Sequence, residues 1–501
     1  GNPSYMDQLV GLHESGLYNR IRSRLDMSGE IQFARLPAAI QDSEKKLKKA
    51  LSGILDSEGN QNDRMQRYLQ AQDDWTRFLN KLSIEFPVYY TMRYASLFKT
   101  LQEIIPDIPE GTTVIRYMFI GKKLLALVAD RQNRNLIELN GSGIDSDISS
   151  ISEFEKDADR TGDILYRLYS RLWQPLEKQI RFKKLVIIPD GILYNVNFET
   201  LTPRKIKKFE ELLFNTLLTE YSISYQYSLF LLKQRPEDLT LGKNFIAFTP
   251  GFSDQIKEDY RIHTDTAVEI DHFYLSLLPQ PFTVNLAAKI ADRFGGNVFS
   301  NEKSTVNAFK EQANGHRIIH IGTHAIADNV HPEFSKIVFS KEVSGNQTDN
   351  YLYLFDIYNC NLTADLTALT ACESGKAGYK DGEGMISLAH AFQYAGSKSI
   401  LMSLGKIDEK TSARLIGLFY ENLATGMRKN DALRQAKLTY LKESQGRLLA
   451  PAYWAGLVLM GDTSPIQLTP SKKSTGLIIV SLLILCFASA CYFFLSRKTA
   501  A

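Results

Sequence analysis

From about Ile164 onward, short apolar runs alternate with stretches of helical spacing, and a chain that does this has few folds open to it. KKLVIIPDGILYNVNFETL (Lys183 to Leu201) and KNFIAFTPGF (Lys243 to Phe252) each carry the core of a buried strand, with helical stretches near Ile164 to Phe182 and Leu229 to Leu232. After His263 the pattern repeats. Strands are expected at Asn297 to Phe299, Arg317 to Gly322, Lys336 to Ser340, Ala364 to Ala371 and Ser399 to Leu404. Helices are expected over Thr305 to Asn314, Met385 to Ala395, Lys410 to Thr425 and Lys429 to Ser444. Such spacing predicts an α/β fold of parallel sheets flanked by helices, read here as two units in tandem, with functional residues at the carboxyl ends of strands.

The ends of the chain read differently. Residues 1–108 carry helical signals, including SEKKLKKALSGILDSE and RMQRYLQAQDDWTRFLNKLSIEF; PDIPEGTT (Pro106 to Thr113) then closes this region. VIRYMFIGKKLLALVAD follows with a hairpin pattern, two apolar runs divided by GKK. At the other end, Leu477 to Leu495 is a 19-residue stretch without a charge, flanked by Lys472, Lys473, Arg497 and Lys498. As a helix it spans about 28 Å, close to the hydrocarbon thickness of a bilayer. With a linker over 466–474, a transmembrane helix over 475–495 and a basic tail over 496–501, the expectation is a single-pass C-terminal anchor. No signal-like apolar run opens the chain, so the body is expected to face the cytoplasm, and an opening Gly in place of Met leads us to expect further chain upstream.

Composition excludes more than it suggests. The 59 basic and 56 acidic side chains leave a net charge of +3, too weak a field to point to nucleic acid. Four cysteines cannot build a disulfide framework in a chain of 501 residues. Two of them, Cys486 and Cys491, lie in the apolar tail, and Cys360 reads as structural.

Two segments carry chemistry. In RIIHIGTHAIAD an apolar strand runs into a small-residue turn from which His324 emerges, and in DLTALTACESGKAG another runs into a turn from which Cys372 emerges. A thiol and an imidazole brought together at neighbouring strand ends are the minimum apparatus for nucleophilic acyl transfer. They are 48 positions apart, with His upstream, close to caspase-type spacing. A lone Cys at a strand end is ordinarily a small buried hydrophobe, and a lone His ordinarily structural. Here Gly375 and Gly378 loosen the chain after the thiol and leave backbone amides available to an anion, which a packing site has no use for. His331 and His390 lack metal-ligand spacing, so no zinc site is expected.

HIGTHA, LTACESG, GEGMISLAHAFQYAGSKSILMSLGKID (Gly382 to Asp408), ALRQAKLTY and APAYWAGLVLMGD occur in an order that resembles the CHAT domain, a caspase-fold cysteine peptidase of clan CD, related to separases and usually found behind TPR repeats. The resemblance covers residues from about 110 to 465. It implies a caspase-like three-layer α/β/α sandwich in tandem: an inactive half over 109–262, which contains no His or Cys, and an active half over 263–465. It implies His324 as general base, Cys372 as nucleophile, and the N–H groups of Ala325 and Cys372 as oxyanion hole, with no metal or organic cofactor. Family members commonly have Gly where Ala325 stands and Trp where Gly405 stands. In separases the residue after that Trp is an acid that accepts a basic P1 side chain; Lys406 occupies the position here, with Asp381, Glu383 and Asp408 as further pocket candidates. HESGLYNRIRSRLD resembles the end of a TPR array, which implies a regulatory protein partner. The expected function is a membrane-tethered cysteine endopeptidase acting on protein or peptide substrates; a catalytically silent CHAT scaffold and a thiol-dependent acyltransferase are the alternatives.

Overall fold

The computed structural model describes residues 5–16, 37–55, 61–86, 90, 99–151, 157–232, 242–263, 270–326, 335–341, 350–370, 388–404 and 408–468. Its fourteen described strands are β1 Thr112–Ile120, β2 Lys123–Ala129, β3 Arg134–Leu139, β4 Lys184–Ile188, β5 Ser222–Tyr225, β6 Lys243–Thr249, β7 Asn297–Ser300, β8 His316–Ile321, β9 Ala325–Ile326, β10 Lys336–Val338, β11 Tyr351–Tyr353, β12 Leu366–Leu369, β13 Ser399–Ser403 and β14 Leu457–Gly461. Eleven of them form one sheet in the order β3-β2-β1-β4-β5-β14-β13-β12-β8-β6-β7, and β11-β10-β9 form a small antiparallel sheet.

The hairpin expected around GKK is β1 and β2, joined by a two-residue loop in which Gly121 takes φ +61°. Loops of this length match strand twist only with a positive φ, which glycine adopts without penalty. Beyond the hairpin, β1, β4 and β5 run parallel, as do β7, β6, β8, β12 and β13. Between the two sets lies β14, parallel to β5 and antiparallel to β13. The two sets of strands therefore point in opposite directions, and their carboxyl ends lie at opposite edges of a single continuous sheet. The two units read from the sequence thus share one sheet. Pairing also groups β6, between β8 and β7, with the strands beyond residue 263 rather than with those before it.

Helices cover both faces. In the second half, Phe245 and His320 meet Tyr420 and Phe294, on helices Glu409–Ala424 and Pro281–Phe294. On the opposite face Phe248 meets Phe309, which meets Phe392, on helices Val306–Gln312 and Leu388–Ala395. In the first half Tyr117 donates its hydroxyl proton to the carbonyl of Leu172 on helix Ala158–Leu172. Across the pleat Val114, Met118, Val186 and Ile188 pack with Val10 of the helix over residues 5–16.

Polar contacts tie the halves together. Lys437 of helix Lys429–Glu443 pairs with Glu199, both buried, while Asp431 and Asn430 reach the Ser222 hydroxyl at 2.6 and 2.8 Å. Arg434 donates to the carbonyls of Leu218 and Thr219. The helical region expected at the N-terminus contains, besides residues 5–16, helices Ala38–Leu55 and Gln61–Glu85, which pack together; Phe78 and Leu82 there cluster with Tyr394. Among the described residues no helix is long and apolar enough to cross a membrane. The expected span over 475–495, with its linker from residue 469 onward and the tail, lies outside the described residues.

Candidate active site

Ile318, Ile319 and Ile321 of β8 are fully buried, and the strand is followed by Gly322, whose N–H donates to the Phe248 carbonyl at 3.0 Å. A Cβ at Gly322 would stand 2.1 Å from Thr283 Cγ2, so any side chain here must push Thr283 aside. Thr323 then donates its hydroxyl to the Val338 carbonyl, and the Val338 N–H donates back to the His324 carbonyl at 2.9 Å. His324 is thus held by its backbone on both sides.

Its half-buried ring is held as well. Nε2 lies 2.9 Å from the Leu278 carbonyl oxygen. A carbonyl can only accept, so Nε2 carries the proton and the Nδ1 lone pair is left as the basic nitrogen. The Phe252 ring lies 5.2 Å from the imidazole; Gly251 (φ +74°) and Phe252 (φ +48°) turn the chain left-handed to bring it there. A positive φ at a bulky residue is strained, and such strain gathers at functional sites. Gln280 donates its N–H to the Gly251 carbonyl and Lys257 donates to the Leu277 carbonyl, fixing the loop that presents Leu278. Burial lowers the His324 pKa below the ordinary value, the Leu278 hydrogen bond works the other way, and nearby Lys257 lowers it further. The net result favours a neutral imidazole able to take a proton.

β12 lies beside β8 and parallel to it, with Leu369 paired to Ile321, and the Thr370 N–H donates to the Ile321 carbonyl at 2.9 Å. His324 is the third residue beyond Ile321 and Cys372 the third beyond Leu369. The chain therefore leaves both strands for these positions from level points about 4.8 Å apart. Cys372 itself lies outside the described residues, as do Asp381, Glu383, Gly405, Lys406 and His331.

Ala325 opens β9 and pairs with Ile337 of β10. The Val338 N–H to His324 carbonyl bond makes Ala325 and Ile337 a non-hydrogen-bonded pair, so the Ala325 N–H is directed away from β10. Asp408 caps helix Glu409–Ala424, its Oδ1 accepting from the Thr411 N–H at 2.8 Å. Glu409 accepts the Thr283 N–H at 3.0 Å, and burial raises its pKa. Both carboxylates already serve helix N-termini. His390 is buried with Nδ1 2.6 Å from the Tyr358 hydroxyl, and among the described residues no group of three or more His, Cys, Asp or Glu is placed to hold a metal.

Sequence reasoning missed Leu278 and Phe252. Leu278 acts through its backbone carbonyl, which no side-chain pattern reveals; the Pro250-Gly251 turn before Phe252 was the only local signal.

A family model described as CHAT domain matches residues 162–462, more than half of the chain. Among curated proteins, tetratricopeptide repeat protein 28 of Mus musculus and of Homo sapiens are 24% and 27% identical over 128 residues, 26% of this chain. The chain spans only 5% of the length of those relatives. Among solved structures, a chain of the Saccharomyces cerevisiae separase-securin complex aligns over 81% of this chain and 34% of its own, with 10% identity and a TM-score of 0.43. The Arg-specific cysteine proteinase gingipain R aligns over 65% and 75% respectively, with 12% identity and a TM-score of 0.35.

Proposed function

Because the chain belongs to the CHAT domain family, we propose that it is a caspase-type cysteine endopeptidase whose dyad is His324 and Cys372. The observation that carries this reading is the register of β8 and β12, which starts the paths to both residues from level, adjacent points. His324 Nδ1 takes the Cys372 thiol proton as Sγ attacks the scissile carbonyl, and the oxyanion is met by the N–H groups of Ala325 and Cys372. As the C–N bond breaks, the imidazolium returns its proton to the leaving amine; water then hydrolyses the thioester. Throughout, the Leu278 carbonyl holds the ring in one tautomer and stabilises the cation that forms.

Lys406 disfavours a basic P1 residue by like charge, with Asp381, Glu383 and the helix-capping Asp408 as further pocket candidates. The apolar stretch Leu477–Leu495 supports a membrane tether with the body on the cytoplasmic side; its test is carbonate-resistant membrane association of the full chain, lost in Ile484→Arg. A regulatory partner acting through the N-terminal helices completes the proposal.

The deciding experiment treats the full chain with electrophilic peptide probes bearing Arg, Asp or Leu at P1 and locates the adduct by mass spectrometry. Adduct is expected at Cys372, slowed in His324→Ala and weakest with the Arg probe. Cys360, whose thiol burial pushes up to about 12, stays unlabelled. Labelling at Cys372 that His324→Ala leaves unchanged refutes the dyad, and the absence of any Cys372 adduct favours a silent scaffold. A preference for the Arg probe removes the role given to Lys406.

A further inference from the structure

The other edge of the sheet, at the carboxyl ends of β4 and β5, contains a buried charge for which peptide hydrolysis has no use. Arg116 of β1 is fully buried on a face it shares with Val114, Met118, Val186 and Ile188. Its Nη1 donates to the Pro189 carbonyl at 2.6 Å and its Nε to Glu14 Oε1 at 2.6 Å. The second Glu14 oxygen accepts from the Ser228 hydroxyl at 2.5 Å and from the Leu229 N–H at 2.8 Å. Glu14, itself fully buried, comes from the helix over residues 5–16. Beside it His13 lies with Nδ1 3.3 Å from Arg116 Nη2 and Nε2 3.2 Å from Asp190 Oδ2. Burial pushes the Asp190 carboxyl up, but His13, Arg116 and the Phe119 N–H outweigh it and hold the carboxyl below the usual range.

Three donors from β1 and the turn after β5 thus converge on one carboxylate. The crevice beyond the carboxyl ends of parallel strands is also where open α/β sheets take their ligands. Ser228 adjoins Tyr227, whose ring stands edge-on to His390 at 5.4 Å. His390 lies on helix Leu388–Ala395, the first described element after position 372. One turn along, Tyr394 of this helix packs with Phe78 and Leu82 from the N-terminal helices. Two separate N-terminal elements therefore bear on one helix of the second half.

We propose that this crevice is a carboxylate-binding site, filled in cis by Glu14, and that its filling positions helix Leu388–Ala395 through Ser228, Tyr227 and His390. Nothing in this depends on the peptidase reading. Contiguity alone does not establish coupling, so the test must perturb one end and read the other.

In full-length Glu14→Ala the pocket keeps Arg116, Ser228 and the Leu229 N–H but loses its anion, and sodium propionate serves as the probe against sodium chloride at equal ionic strength. Propionate is expected to raise the melting temperature of the variant saturably, by about 1–3 °C at tenfold its Kd, and to leave the wild-type chain unchanged. Amide exchange over residues 388–395 is expected to quicken about tenfold in the variant, within the range of coupled sites, and to slow again with propionate. Equal effects of propionate and chloride overturn the binding site. Unchanged exchange over 388–395, while residues 226–232 open, overturns the coupling. If Glu14→Ala does not fold even in propionate, the neutral isostere Glu14→Gln decides: faster exchange over 388–395 supports the proposal, and wild-type exchange there overturns it.

Discussion

Gly322→Ala isolates the packing that delivers His324 to its place. The added methyl would stand 2.1 Å from Thr283 Cγ2, and 3.2 Å from both His320 Nε2 and Thr249 Cγ2. Carbon atoms in good contact are about 3.5–4.0 Å apart, so the Thr283 contact must open by about 1.4 Å, while the Thr249 contact needs only a few tenths. Thr283 has little room to yield, because it is buried and its N–H is held by Glu409 at the start of helix Pro281–Phe294. Overpacking of this kind costs about 1–3 kcal/mol, and a rigid neighbour puts Gly322→Ala near 3. Thr283→Ser deletes the opposing methyl and keeps the hydroxyl, for about 1 kcal/mol alone. Combined, the two changes should cost less than their sum by about 1–2 kcal/mol, since the methyl that obstructs the new Cβ is gone. Urea midpoints of the four chains, read by far-UV circular dichroism, measure this directly. Additive costs would show that β8 moves as a whole rather than pressing on Thr283, and would refute the role given to Gly322.

Two further expectations concern buried charge. Lys437→Met strands Glu199 in the seam between the halves and should cost about 3–5 kcal/mol, whereas Lys437→Met with Glu199→Met should recover most of that loss; a double variant no more stable than the single would disprove it. Burial lowers His320 and His390 each to about 4. Between about pH 6.5 and pH 4 the unfolded chain therefore binds protons at these rings that the folded chain does not, so stability is lost as the pH drops through that window. The loss is on the order of 3 kcal/mol per ring, and a urea midpoint flat from pH 6.5 to 4.5 would contradict it.

Much of the second half was legible because its strands are unbroken apolar runs. IIHI and LTAL bury on both faces, and the helices after β13 begin and end within a residue or two of their sequence signals. β5 was not legible. Its sequence SISY alternates as a half-exposed strand does, yet all four residues are buried, because Ser222 and Ser224 find partners in Asp431, Asn430 and the Leu185 carbonyl. Nor does the hairpin run VIRYMFI reveal that Arg116 is buried, since its partner Glu14 stands 102 positions upstream. β14 lay inside a quoted motif, but only the sheet reveals that it runs against β13. At the site, the sequence placed His324 and Cys372 just beyond two strands, and the pairing of β8 with β12 is what makes those strands neighbours, whereas the carbonyl that orients the imidazole belongs to a loop 46 positions away and leaves no trace in side-chain pattern.

The position of β14 also has a consequence for the order of events on the ribosome. Met460 bridges to Tyr225 on one side while its strand pairs with Ser399 to Ser403 on the other. Until residue 461 has been synthesised, β5 and β13 each present a bare edge, the kind of surface that recruits wrong partners. A chain interrupted between residues 404 and 456 therefore lacks the centre of its sheet rather than a margin, and carries two adhesive borders where its halves should share a strand.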